Sequence, residues 1–167
     1  VPYFQKRCRD TDKILKAMYV AAGIGQIIAT RSSISGAAGG CQAEIGSASS
    51  MAAGALTYLQ GGNCEQIATS AAMAMKNLLG LVCDPVAGLV EVPCVKRNVI
   101  GTVNAMACAD MAMAGIVSRI PPDQVMDAMK EVGDKMDASL RETALGGLAQ
   151  TDEGMKIAEK MHASYEN

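Results

Sequence analysis

Aromatic residues are scarce in this sequence, and an excess of basic residues over acidic ones is absent. Tryptophan is absent and phenylalanine occurs once, so the hydrophobic half of the 167 residues consists mainly of alanine, methionine, valine, isoleucine and leucine. Small and unbranched residues such as alanine and methionine favour closely packed helices. A net charge of −2 and an isoelectric point near 5.4 offer no basic surface to a phosphate backbone. We therefore expect no nucleic-acid partner.

Long apolar stretches are also missing. The chain contains no run of eighteen or more apolar residues, and its N-terminus, Val1-Pro2-Tyr3, lacks the apolar stretch of a secretion signal. We therefore expect a cytoplasmic protein without a membrane span. Because the chain begins with Val1 instead of methionine, we also expect it to lack an N-terminal segment.

The hydrophobic pattern predicts one compact all-α domain over residues 1–167. Apolar residues at three- and four-residue spacing predict a first helix from Asp10 to Ala29 with Thr11 as its N-cap. Prolines and glycines predict an ordered loop from Leu81 to Arg97, and the following helix is apolar nearly all round, which predicts that it is buried. The pattern also predicts a loop at Thr30–Gly40, helices at about Cys41–Leu59, from an Asn63 cap to Leu79, Asn98–Ser118, Pro122–Val132 (closed by Gly133) and Asp152–Met161, and two shorter helices between the last two.

Six cysteines without an export signal are expected to be reduced, metal-bound or buried and not paired as disulfides. Cys41 and Cys64 each lie at a predicted helix start, where unpaired backbone amides favour a thiolate. This criterion does not choose between them. Cys83 and Cys94 lie eleven positions apart on the predicted loop, where backbone amides can point at the sulfur atoms of a cluster.

Simple burial is the competing explanation for each cysteine, because free cysteine behaves as a small hydrophobe. Burial is favoured for Cys108, which lies in an apolar predicted helix, while Cys8 lies among charges near the N-terminus. No Cys-x-x-Cys pair supports a zinc ribbon or a ferredoxin-type site. The one histidine, His162, lies on a polar segment, which disfavours a Ser-His-Asp or Cys-His apparatus.

Two long segments resemble the signatures of iron–sulfur-dependent L-serine dehydratases. The first runs from Ser33 to Glu44 (SISGAAGGCQAE) and the second from Leu79 to Asn98 (LGLVCDPVAGLVEVPCVKRN). Weaker similarity extends through Glu142-Thr143 and residues 146–149. The chain is thus similar to the C-terminal portion of the α subunit or α domain, and the resemblance implies a lyase that converts L-serine into pyruvate and ammonia.

The resemblance implies a metal site as well. Cys41, Cys83 and Cys94 would hold a [4Fe-4S] cluster and leave one iron open as a Lewis acid for the substrate hydroxyl. Pyridoxal phosphate is not expected, although Lys96 is a lysine that could form a Schiff base. Four flanking residues are expected to contact the amino acid: Asp84, Lys96, Arg97 and Asn98. The alternatives are that Lys96 and Arg97 are solvated charges, that Asp84 begins a turn and that Asn98 caps the following helix.

The resemblance further implies partners. The family's upstream Pro-Thr-Ala-Gly-type loop has no counterpart here, and its β domain is absent, so the chain is expected to need a β subunit or domain and to form an oligomer. Two alternatives remain open at this point. A related family uses a similar cluster to expel sulfide from L-cysteine, and a non-catalytic helical assembly module with buried cysteines would need no metal. The sequence does not identify the general base.

Overall fold

The computed structural model describes residues 10–165 and is helical over most of that range. The one extended pairing within these residues is a single bridge between Cys83 and Arg141. The predicted all-α fold is therefore confirmed for this range, whereas Cys8 lies outside it. The α-helices are α1 (Thr11–Arg31), α2 (Gly36–Gly39), α3 (Ser47–Leu59), α4 (Cys64–Lys76), α5 (Cys94–Met113), α6 (Pro122–Lys135) and α7 (Asp152–Tyr165). A π-helix at Gln42–Gly46 and 3₁₀ turns at Val86–Gly88, Ala138–Leu140 and Gly147–Gln150 complete the helical elements.

Helix α3 forms the centre of the fold and packs against α1, α4 and α5. Small residues on the facing surfaces allow these helices to approach closely. An ideal Cβ at Gly101 of α5 would lie 2.7 Å from Cγ2 of Ile45, so this position requires glycine. Cys108 is fully buried in this core, as the sequence predicts. The core residues shared by α3, α4 and α5 are Ala53, Leu56, Met73, Ala74, Ala105, Cys108, Ala109 and Ala112.

The N-cap of helix α1 lies one residue earlier than predicted and the helix ends two residues later, because side chains supply contacts at both ends. Asp10, and not Thr11, is the N-cap, since its carboxylate accepts a hydrogen bond of 3.1 Å from the backbone N–H of Lys13. At the other end, Arg31 donates to Asp127 of α6 at 2.8 Å. Arg31, which forms this tertiary ion pair, lies within the stretch predicted as a loop.

Helix α5 begins at Cys94, four residues before the predicted start, so the prediction that Cys94 lies on a loop is wrong. Its burial was also predicted wrongly, because one side of the helix faces the core while Val95, Val99 and Val103 are each about 60% exposed. Although α5 has 20 residues, neither it nor any other helix of the described range is apolar enough to cross a membrane.

Glycine and asparagine residues predict only some of the ends of the remaining helices correctly. Asn63 caps α4 in a reciprocal capping box with Gln66, as predicted, but α4 ends at Lys76 and not at Leu79. Gly133 does not close α6, which continues to Lys135. An ideal Cβ at Gly133 would lie 3.0 Å from Cα of Gly39, so this glycine allows α6 to pack against α2.

The segment after α6 forms two short 3₁₀ turns where two shorter helices are predicted. These turns lie at residues 138–140 and 147–150, and the chain then enters α7. The segment from 83 to 92 runs beside them, because Val86–Gly88 packs against both α7 and the second turn. The polypeptide around Cys83 is thereby enclosed by elements far away in sequence.

Candidate metal centre

Three elements bring Cys41, Cys83 and Cys94 into one region of the protein interior. Cys41 directly precedes the π-helix, Cys83 lies between α4 and the first 3₁₀ turn, and Cys94 is the first residue of α5. Their exposed fractions are 2%, 4% and 6%. The sulfur atoms of Cys41 and Cys83 lie within 4.8 Å of each other, and Cys94 is close enough to Cys41 for the charge of one thiolate to affect the other. Their role as metal ligands stays a prediction.

A double glycine fixes the position of Cys41. Gly40 has a φ of +76°, which favours glycine, and an ideal Cβ there would lie 2.9 Å from the carbonyl oxygen of Leu81. The next residue after the cysteine, Gln42, donates its backbone N–H to the same carbonyl at 2.9 Å. Cys41 is therefore tied to the segment that reaches Cys83 two residues later.

Buried Gln42 anchors the same helix on its other side. Its side-chain amide donates to the carbonyl of Met129 in α6 at 3.0 Å and accepts from the backbone N–H of Gly80 at 2.9 Å. The π-helix that begins here is a rare local geometry, and such turns occur frequently at functional sites. Both bonds hold the start of this helix against neighbouring elements.

Cys83 is held by backbone pairing with the segment after α6. Its N–H donates to the carbonyl of Leu140, and its carbonyl accepts from the N–H of Glu142, both at 2.8 Å. These bonds form the parallel bridge to Arg141. The pairing gives the weak sequence similarity around Glu142-Thr143 a structural role, since this segment supports one of the predicted ligands.

Asp84 and Arg97, both predicted to contact substrate, contact each other. The Asp84 side chain is 4% exposed, and it accepts from the Arg97 guanidinium at 2.7 Å and from the backbone N–H of Leu148 at 2.8 Å. Arg97 also donates to the carbonyl of Val82 at 2.9 Å. The pair joins the Cys83 segment to α5 and to the turn at 147–150, so it positions two of the three cysteines.

Lys96 and Asn98 occupy the first turns of α5. Lys96 is exposed, and the side-chain amide of Asn98 donates to the carbonyl of Cys94 at 3.0 Å. Because α5 begins at Cys94, Asn98 is not its N-cap, and that alternative is wrong. Contact of either side chain with an amino acid stays a prediction.

Burial dominates the acid–base behaviour of the three thiols. It is the largest cause raising the pKa of Cys41, Cys83 and Cys94. The pKa of Cys41 is lowered in part by contacts with Cys83 and Arg97, while the Glu44 carboxylate raises it. Burial therefore outweighs the helix-start field that was expected to favour a thiolate at Cys41. Metal binding at these residues would release protons.

Two glutamates that are not predicted as site residues lie next to the thiols. A carboxylate oxygen of Glu44 lies within 4.8 Å of the sulfur atoms of both Cys41 and Cys83. An ideal Cβ at Gly36 would lie 2.8 Å from a Glu44 oxygen, 3.1 Å from the Cys83 sulfur and 3.6 Å from a Glu142 oxygen. Glu44 follows Cys41 by three residues on a helical segment, a spacing that puts both on one face. No local pattern connects Glu142 to the site.

The other cysteines and the histidine lie in different surroundings. Cys64 is exposed at the start of α4, and Cys108 is in the core. His162 is exposed on α7, where it lines a cavity of about 420 Å³ together with Ala87 and Met155. The expectation that His162 lies at a solvated position is confirmed.

Comparison with known proteins identifies the class. The family model described as "Serine dehydratase alpha chain" matches residues 1–149, so the chain belongs to the serine dehydratase alpha chain family, and the resemblance seen in the sequence is confirmed.

Individual relatives agree with this assignment. The chain is 56% identical over 150 residues to a "Probable L-serine dehydratase, alpha chain" of Bacillus subtilis (strain 168), covering 90% of this chain and 50% of the relative. It is 56% identical over 148 residues to a protein of the same description from Latilactobacillus sakei, with 89% and 71% covered. The "L-serine dehydratase, alpha chain" of Peptoniphilus asaccharolyticus is 51% identical over 148 residues, with 89% and 51% covered. The chain thus spans about half the length of two of these relatives.

Proposed function

We propose that this chain is the cluster-carrying part of an L-serine dehydratase, a lyase that converts L-serine into pyruvate and ammonia. The observation that carries the proposal is the approach of the buried Cys41 and Cys83 sulfur atoms to within 4.8 Å, with buried Cys94 close enough to interact electrostatically with Cys41, in a member of the serine dehydratase alpha chain family. Relatives named L-serine dehydratase alpha chain support the choice of substrate and reaction.

The donor set fits an iron–sulfur cluster held by Cys41, Cys83 and Cys94. Cysteine thiolates are the protein ligands of such clusters, and these three come from separately anchored segments. Gly36 leaves one side of the Cys83 sulfur uncovered, since a Cβ there would approach it to 3.1 Å. When bound, a [4Fe-4S] cluster with three protein thiolates supplies an open iron, which is a Lewis acid for the substrate hydroxyl.

The remaining polar residues of the site act by positioning the ligands. The Asp84–Arg97 pair joins the segment of Cys83 to the helix of Cys94, and the Arg97 charge lowers the pKa values of Cys41 and Cys94 against the larger effect of burial. Arg97 thus favours the thiolate form that metal binding requires. The low exposure of the three cysteines keeps bulk water away from their sulfur atoms.

A reaction without pyridoxal phosphate is part of the proposal. A lysine that forms a Schiff base is activated by desolvation or by a neighbouring cation. Lys96, the lysine nearest in sequence to the predicted ligands, is exposed on α5, so burial does not desolvate its amine. This setting supports the cluster as the electrophile of the reaction.

We also propose that catalysis needs a β subunit or domain. The relatives' names designate an alpha chain, which supports a partner chain. Abstraction of the α proton needs a base within hydrogen-bond reach, and the partner is the proposed source of that base.

An anaerobic assay of the assembled holoenzyme tests the proposal. We expect pyruvate and ammonia to form in equal amounts from L-serine, at a kcat/KM well above that for sulfide release from L-cysteine. A preference for L-cysteine would assign the desulfidase reaction instead. Failure of the anaerobically reconstituted protein to bind iron and sulfide would favour the alternative of a non-catalytic helical assembly module with buried cysteines.

A further inference from the structure

Two carboxylates that form no salt bridge within residues 10–165 lie beside the predicted cluster ligands. The Glu44 carboxylate lies within 4.8 Å of two sulfur atoms, and a Cβ at Gly36 would lie 2.8 Å from Glu44 and 3.6 Å from Glu142. We propose that Glu44 and Glu142 bind the α-ammonium group of the amino-acid substrate. This inference rests on the proposed function, since it adds the recognition of one substrate group at the same site.

The charge balance of the site supports a cationic ligand. The Glu44 carboxylate lies within 4.8 Å of the Cys41 and Cys83 sulfur atoms, so its negative charge and the bound thiolates repel each other. Arg97 cannot fully compensate this repulsion, because it is paired with Asp84 at 2.7 Å. Within residues 10–165 neither Glu44 nor Glu142 takes part in a salt bridge. An ammonium group placed between them supplies the missing positive charge.

The covalent structure of the substrate puts its ammonium group in the right place. In serine the amino nitrogen is bonded to Cα, and Cα is bonded to the carbon that carries the hydroxyl. A serine whose hydroxyl lies at the proposed cluster therefore keeps its ammonium group within the same site, beside the carboxylates that border Cys41 and Cys83. Glu44 and Glu142 are exposed, so a ligand that approaches from solvent reaches both.

The backbone of Glu142 is held beside Cys83. Its N–H donates to the carbonyl of Cys83 at 2.8 Å, and its φ of +66° is unusual for a residue with a side chain. The side chain of Glu142 therefore extends from a fixed backbone position next to Cys83. The absence of a side chain at Gly36 leaves room next to both carboxylates.

The test compares Glu44→Gln and Glu142→Gln with wild type and with Glu159→Gln, a change of an exposed glutamate on α7. Steady-state kinetics of the reconstituted holoenzyme give KM and kcat for L-serine, and 3-hydroxypropanoate, which lacks the ammonium group, is added as a competitive inhibitor. A charge-assisted hydrogen bond contributes roughly ten- to hundred-fold in affinity. We expect each site variant to raise KM for L-serine by about that factor and to leave the inhibition constant of 3-hydroxypropanoate unchanged. Glu159→Gln should alter neither value.

A binding measurement keeps the test independent of turnover. L-Alanine carries the ammonium group but no hydroxyl, and propanoate carries neither, so anaerobic calorimetry with both isolates the ammonium contribution. We expect wild type to prefer L-alanine and both site variants to lose that preference. Equal affinities in wild type, or a preference that survives in the variants, would overturn the inference.

Two further outcomes separate the possible failures. If Glu44→Gln lowers the iron and sulfide content, Glu44 is a cluster ligand and the inference is wrong. If wild type turns over L-serine while both variants keep its KM, only the ammonium assignment fails. Wild-type holoenzyme that binds L-alanine through both glutamates but does not act on L-serine would overturn the proposed function and leave the ammonium assignment standing.

Discussion

Replacing Cys83 with alanine removes one of the three proposed cluster ligands while leaving the fold nearly unchanged. The side chain is 4% exposed and packs with Cys41 and Ile45. Its truncation deletes one sulfur atom, a group about the size of a methylene, and costs about 1 kcal/mol in burial. A domain stability of about 5–15 kcal/mol tolerates that loss, so Cys83→Ala should fold.

The effect of Cys83→Ala on metal binding should be much larger. Structural zinc in zinc-finger peptides binds with about 10–16 kcal/mol in total. A cluster site of comparable strength with three thiolate ligands would lose about 3 kcal/mol or more with one of them, which is at least a hundred-fold in affinity. Anaerobic reconstitution followed by iron and sulfide analysis measures retention, and urea unfolding measures stability. We expect Cys83→Ala to lose the cluster and the lyase activity together.

Two other cysteines provide matched controls for this experiment. Cys64→Ala changes an exposed cysteine and should alter neither iron content nor stability, while Cys108→Ala changes a fully buried core cysteine and should alter stability alone. Full iron and sulfide content in Cys83→Ala, together with loss in Cys108→Ala, would mean that the wrong sulfur atoms have been assigned.

Three further substitutions test the supporting structure. Gly36→Ala puts a Cβ 3.1 Å from the Cys83 sulfur and should lower iron content after reconstitution. Its control, Gly23→Ala, meets no atom within 4 Å and should raise the midpoint of urea unfolding slightly. Equal iron loss in both variants would contradict the role assigned to Gly36. Asp84→Ala leaves Arg97 partly buried without its partner and should cost about 2–3 kcal/mol in the free energy of unfolding, and a loss under about 0.5 kcal/mol would show the pair to be unimportant. Asn63→Ala removes a helix cap and should cost about 1 kcal/mol with unchanged iron content; a drop in iron content would show that α4 influences the site.

Local patterns in the sequence predict the helices well where capping and periodicity decide them. Asn63 is an example, since its capping box with Gln66 involves residues three positions apart. The start of α5 at Cys94 is not predicted, because the valine- and proline-rich stretch before Asn98 favours an extended segment by local propensity, and packing of the helix overrides that preference. The continuation of α6 through Gly133 likewise depends on its contact with Gly39.

The candidate site depends even more on contacts distant in sequence. Spacing alone gives no reason for Cys41 and Cys83 to lie within 4.8 Å of each other. Only the family resemblance predicts that they belong to one site. The bridge from Cys83 to Arg141 joins residues 58 positions apart, and the approach of Glu142 to Gly36 joins residues 106 positions apart. Local patterns do not reveal such pairings, so Glu142 is not predicted as a site residue, whereas Asp84, next to Cys83 in sequence, is.

The separation of Cys41, Cys83 and Cys94 along the chain bears on when the protein can acquire iron. The core that α3, α4 and α5 share contains none of the three cysteines. The apolar packing of these helices therefore stabilises the fold without bound metal, unlike the packing of a zinc finger. We accordingly expect the chain to fold in the absence of iron and to take up iron and sulfide as a folded protein.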